Sequence, residues 1–70
     1  MPELDQWTLE ILKAMDEMGG SATCRELARK LRCPPKRLAG KLRWVIKLGL
    51  IRRIDRGRFE ITDLGRSVVR

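Results

Sequence analysis

Between residues 36 and 58 lie Lys36, Arg37, Lys41, Arg43, Lys47, Arg52, Arg53, Arg56 and Arg58, opposed within that stretch only by Asp55. A solvated charged face usually mixes its signs. A run of cations this uniform suits a polyanionic partner, because each ammonium or guanidinium can displace a counterion from a phosphate. Other chemistries lack their residues. The chain has no histidine to act as a base, Ser21 and Ser67 have no base beside them in sequence, and no glycine-rich phosphate loop occurs. An enzyme is not expected, and no catalytic residue is assigned. Cys24 and Cys33, with no histidine anywhere, are too few for a structural zinc site. A helix running between them would hold them about 13 Å apart, beyond the reach of a disulfide. They read as free structural thiols, and neither metal nor cofactor is expected.

Seventy residues leave room for one hydrophobic core, so residues 1–70 are expected to form a single domain. A chain that is 43% hydrophobic with a net charge of +7 is too apolar to stay disordered and strongly basic for its size. The charge is also polarised. Residues 1 to 19 carry Lys13 against Glu3, Asp5, Glu10, Asp16 and Glu17, a balance of −4, which leaves +11 for the remainder. No apolar run approaches the ~18 residues a spanning helix needs, and the N-terminus is acidic where a signal peptide would be basic. The expected setting is the cytoplasm, with no membrane partner.

The elements that position these residues follow from periodicity. Leu4, Trp7, Ile11, Met15 and Met18 recur at spacings of three and four, which predicts a first helix over residues 4–18, stopped by Gly19-Gly20. Trp7 then belongs to the core, whereas Leu9 lies opposite the stripe and Leu12 on its flank. Thr23-Cys24-Arg25-Glu26 has the form of a capping box, so a second, short helix starts there and must stop by Cys33, before Pro34. Pro35 suits the first turn of a third helix and Gly49 its end. On that helix Leu38, Leu42, Val45 and Ile46 gather on one face. Lys36, Gly40, Arg43 and Lys47 point away, with Arg37 and Trp44 on one shoulder. Leu50 to Ile54 and Phe59 to Ile61 are two strands around the turn Asp55-Arg56-Gly57-Arg58. Thr62 caps a last short helix with Leu64 and Val68 inward.

Helix, helix, turn, helix and a basic hairpin together resemble the winged-helix branch of the helix-turn-helix proteins. Leu4-Asp5 through Ile11-Leu12 is similar to the opening helix of the feast/famine (leucine-responsive) regulators, and Glu26-Leu27-Ala28-Arg29-Lys30-Leu31 to the positioning helix. Leu48-Gly49-Leu50-Ile51-Arg52-Arg53 resembles the exit into the wing, and Ile61-Thr62-Asp63-Leu64-Gly65-Arg66 the segment after the wing in PadR and MarR-type regulators. The resemblance implies an α+β winged helix: a three-helix bundle, a C-terminal β-hairpin wing and a short final helix. Ser21-Ala22-Thr23 would supply a third, edge strand. It also implies that helix three enters the major groove of double-stranded DNA while the wing rides on the backbone or minor groove. Domains that bind left-handed Z-form duplexes share the helix order but use a helix-three Asn and Tyr and a wing with prolines and Trp. Here stand Ala39, Arg43 and a proline-free wing, so that activity is not expected.

The candidate DNA-binding residues are Lys36, Arg37, Lys41, Arg43, Trp44 and Lys47 on helix three and Arg53, Arg56 and Arg58 on the wing. Alternation along the first wing strand turns one of Arg52 and Arg53 toward the helices, so only one of them is expected to touch DNA. Helix three lacks Asn and Gln, the usual bidentate base readers, and Ala39 and Gly40 present almost no side chain. The pattern favours phosphate binding with low sequence specificity, as in a small transcription regulator or a chromatin-type, nucleoid-associated protein. The chain ends at Arg70 without the ligand-binding or dimerising part those families append, so ligand-responsive repression is not expected. It is expected to act as a monomer or a weak homodimer through Leu9 and Leu12. The alternative is a protein-interaction winged helix within a larger complex, docking through Leu9, Leu12 and Trp44. Single-stranded RNA is disfavoured by the scarcity of stacking aromatics.

Overall fold

The structure, a computed structural model, describes residues 4–70. The order is α1 (Gln6–Glu17), β1 (Ser21–Thr23), α2 (Cys24–Leu31), α3 (Pro35–Lys47), β2 (Ile51–Asp55), β3 (Arg58–Ile61) and α4 (Asp63–Val69). The three strands form one antiparallel sheet in the order β1-β3-β2. This is the winged helix, α+β, with the edge strand where the sequence placed it.

Each boundary has a local cause. Asp5 caps α1, its Oδ1 accepting from the Thr8 amide at 2.8 Å, so the helix starts two residues later than its apolar stripe. Beyond Met18 the chain turns through Gly19 and Gly20, both at positive φ. The capping box at the start of α2 is complete: the Glu26 amide donates to Thr23 Oγ1 at 3.0 Å, and the Thr23 amide to Glu26 Oε1 at 2.8 Å. α2 ends on Arg32, which takes the left-handed conformation (φ 56°) that glycine usually supplies. α3 starts from Pro34 and Pro35 with no side-chain cap.

The core comprises Ile11, Leu12 and Met15 of α1, Leu27 of α2, Leu38, Leu42 and Val45 of α3, and Ala22, Ile51, Phe59 and Ile61 of the sheet. The cross-strand pairs Ala22 with Phe59 and Ile51 with Ile61 fix the inner face of the sheet, because partners in register point to the same side.

Two expectations about packing are corrected. Leu12 is fully buried, since α1 is packed on both α2 and α4 and its buried arc is wider than a single stripe; it offers nothing to a dimer contact. Leu9 is half-buried. Leu64, expected inward, is 44% exposed. The inward position at the start of α4 belongs to Gly65, which lies directly against the Leu50 carbonyl, and a helix turns 100° per residue, so Leu64 swings out while Val68 and Val69 pack on the core. Among the described residues no helix is long and apolar enough to cross a membrane.

Candidate nucleic-acid interface

Helix α3 buries Leu38, Leu42 and Val45, which leaves Lys36, Gly40, Arg43 and Lys47 on the opposite, exposed side. Spacings of four, three and four stack these residues in one stripe along the helix. Trp44 stands beside the stripe with 55% of its surface exposed, so it belongs to the surface and not to the core. Nothing offsets the positive end of this helix. Its first turn carries no carboxylate and no side-chain cap, and it bears Lys36 and Arg37 instead. α2 differs: Glu26 lies in its first turn, held below the usual carboxylate range by the Thr23 amide and hydroxyl.

The wing is fixed close to the helix starts. Arg56 and Gly57 form its tip, with Gly57 at φ 70° as a tight turn demands. The Asp55 carboxylate accepts the Arg56 amide at 2.7 Å. The Cys24 amide, the first of α2, donates to the Gly57 carbonyl at 3.0 Å, tying the tip to the helix. A shallow groove of about 410 Å³ runs between Thr23, Cys24 and Arg25, Pro35, and Arg56 and Gly57. A second depression of about 220 Å³ continues along α2, lined by Arg25, Arg29, Arg32, Cys33 and Pro35. The two share Arg25 and Pro35, so the exposed side of α2 is continuous with the start of α3 and the wing tip. The sequence candidates left out Arg25, Arg29 and Arg32. Their signal was their charge, three arginines spaced four and three apart along α2 and its C-cap, all of them exposed, but only the fold brings that side beside the wing.

Not every candidate cation is free. Lys41 Nζ donates to Asp5 Oδ2 at 2.6 Å, and only 14% of its side chain is exposed. That hydrogen bond is the main reason the Asp5 carboxyl sits far below its ordinary value. Lys41 thus serves α1, and its charge is matched. Arg52 is paired with Glu60 across the strands, on the outer face. Arg53 is opposite Phe59, on the inner face, where its guanidinium lies 5.5 Å from the ring centroid and remains exposed. Alternation was expected to keep the DNA-contacting arginine turned away from the helices, but Arg53, the candidate, is the inward-turned one. It stays available because its guanidinium passes the Phe59 ring to solvent and, among the described residues, has no carboxylate within 4 Å, whereas outward Arg52 is paired with Glu60. Lys30 approaches Glu17 at 3.7 Å. Among the described residues, no carboxylate lies within 4 Å of the side chains of Lys36, Arg37, Arg43, Lys47, Arg53, Arg56 or Arg58.

Cys24 and Cys33 are both free and half-buried. Burial pushes the Cys24 thiol up, away from the reactive thiolate, and its Sγ is 3.5 Å from the Pro35 carbonyl. Among the described residues no three His, Cys, Asp or Glu side chains gather as metal ligands would.

No protein-family model matches the chain, and no curated protein matches it. Among solved structures it is similar to a "putative transcriptional regulator protein" from Pseudomonas aeruginosa PA01, at 37% identity over 89% of this chain with a TM-score of 0.83. The match takes in 45% of that protein, so the chain spans less than half the length of its structural neighbour.

Proposed function

We propose that the chain, acting as one winged-helix domain, binds double-stranded DNA in the service of transcription regulation. The outer stripe of α3 lies in the major groove and the wing on the adjacent backbone or minor groove. The observation that carries this reading is the continuity of exposed cations with no carboxylate within 4 Å, among the described residues, from Lys36, Arg43 and Lys47 through the groove at Arg25 to Arg56 and Arg58. A helix is about as wide as the major groove, so Lys36, Arg43 and Lys47 reach base edges or flanking phosphates, with Arg37 and Trp44 at the margin. Arg53, Arg56 and Arg58 pair with phosphates along the wing. The similarity to a protein described as a transcriptional regulator supports the same reading.

Specificity is low, because Gly40 leaves the middle of the stripe bare and no Asn or Gln stands on α3. A nucleoid-associated, architectural role is as compatible with this as repression of discrete genes. The protein acts in the cytoplasm without a cofactor, as a monomer or a weak dimer. The test is fluorescence anisotropy with a labelled duplex across a salt series. Affinity should fall steeply as salt rises; affinity indifferent to salt would defeat the reading.

The protein-interaction alternative loses Leu12 to the core but keeps Trp44, whose exposure favours it. Size-exclusion chromatography after nuclease treatment separates the two: a stoichiometric protein partner without nucleic acid would replace the DNA reading.

A further inference from the structure

Trp7 occupies a core position of α1, yet it is only half-buried. Two cations of α3 lie over its ring. Arg37 Cζ is 5.4 Å and Lys41 Nζ 5.5 Å from the ring centroid. The two are four residues apart, so one shoulder of α3 presents both of them to α1. Their situations then diverge. Lys41 is also held by Asp5, with its charge matched and its side chain largely covered. Arg37 is exposed, and among the described residues no carboxylate lies within 4 Å of it.

An arginine side chain left to itself spreads over many rotamers, and ordering it against a ligand opposes binding. A guanidinium centred over an aromatic ring is restrained before any ligand arrives. It keeps N–H groups at its periphery free to donate, so a ring and a phosphate can share it.

We propose that Trp7 is a positioning residue for the nucleic-acid surface. Its ring holds the Arg37 guanidinium upright at the margin of the α3 stripe, where it meets a backbone phosphate, while Asp5 retains Lys41. Helix α1 thereby decides which of two adjacent cations is presented. The inference rests on the duplex-binding reading of the preceding section.

The test measures duplex affinity and its salt dependence for Trp7→Leu and Trp7→Phe, each with and without Arg37→Ala, beside Lys41→Ala and thermal melts of every variant. Arg37→Ala should weaken binding and reduce the slope of log K against log salt by about one, whereas Lys41→Ala should lower the melting temperature and leave the slope in place. Trp7→Leu should weaken binding by about two- to fivefold, and Arg37→Ala should then cost correspondingly less than it does beside an intact Trp7. Trp7→Phe, which keeps an aromatic face, should restore most of that coupling. An Arg37→Ala effect of equal size in the wild-type and Trp7→Leu backgrounds would overturn the proposal, as would a slope lost with Lys41 instead of Arg37.

Should Trp7→Leu fail to fold, the contact is read without DNA. In Trp44→Phe protein Trp7 is the remaining tryptophan, and its emission should shift on Arg37→Gln; an unchanged spectrum overturns the proposal. Absence of salt-dependent duplex binding by the wild-type protein would defeat the function reading itself. Salt-dependent binding with no Trp7–Arg37 coupling would defeat only this inference.

Discussion

Single side chains carry opposite duties at neighbouring positions of this small fold. Arg43 and Arg56 face solvent without a counter-ion, while Lys13 lies on the acidic first helix. A charge-assisted hydrogen bond to phosphate contributes about 1.5–3 kcal/mol, so Arg43→Glu or Arg56→Glu should weaken duplex binding by about tenfold or more. Lys13→Glu should change it little; equal effects in an anisotropy titration would refute the placement of the surface. Gly65 illustrates a different constraint. A Cβ there would strike the Leu50 carbonyl oxygen, which is backbone and cannot rotate aside. Gly65→Ala should therefore destabilise by about 1–3 kcal/mol, lowering the melting temperature by several degrees in a chain of this length. An unchanged melt would mean that α4 can lift away from the strand at no cost.

The elements owe their limits to short-range chemistry, and that chemistry can be titrated. Asp5, which caps α1, is held far below its ordinary value of 3.8, first by the hydrogen bond from Lys41; Glu26, in the capping box of α2, is held below 4.5, first by the Thr23 amide. The unfolded chain binds protons at these sites at a pH where the native chain does not. Their contribution to stability is present in full above about pH 5 and is lost as pH falls below the ordinary carboxylate values. Asp5→Asn, which can still cap the helix but cannot pair with Lys41, should flatten the acid limb of a urea-denaturation series measured between pH 3 and pH 6. An acid limb as steep as that of the wild type would exclude the Asp5 pair as a contributor. Thr23→Ala should cost about 1 kcal/mol near pH 6, where its hydroxyl accepts the Glu26 amide and supports the ionised carboxyl, and less toward pH 3; a cost that grows as the pH falls would refute this.

Across the whole molecule, the readable parts are those governed by neighbours in sequence. Thr23 and Glu26 announce their capping box, Pro34 and Pro35 separate two helices, and Arg56-Gly57 marks a turn, all within four residues of the structure they cause. The misread parts depend on distant partners. Nothing in the periodicity of α3 tells that Lys41 will meet Asp5, 36 positions earlier, or that Trp7 will lie beneath two cations of that helix. Leu12 and Leu64 fail for a related reason: Leu12 is covered because α1 packs on both α2 and α4, and Leu64 swings out because Gly65 takes the close approach to Leu50.

On the duplex-binding reading proposed above, scale also bounds the contact. A body of 28 × 21 × 20 Å is shorter than one ~34 Å helical turn, so one copy can engage α3 and the wing with little beyond their immediate flanks. If Lys36, Arg37, Arg43, Lys47, Arg53, Arg56 and Arg58 each neutralised one phosphate, log K would fall against log salt with a slope of about −6. A slope near −2 would mean that most of these cations stay in water.

The bond from the Cys24 amide to the Gly57 carbonyl closes the hairpin tip onto a helix. Loops anchored only at their base must surrender picosecond-to-nanosecond freedom on docking; this one has a second anchor at its tip, so backbone order parameters at residues 55–58 should match those of the helices in the free protein. If the duplex-binding proposal holds, binding then joins two preshaped bodies, and the on-rate should follow diffusion and the electric field between them instead of loop closure.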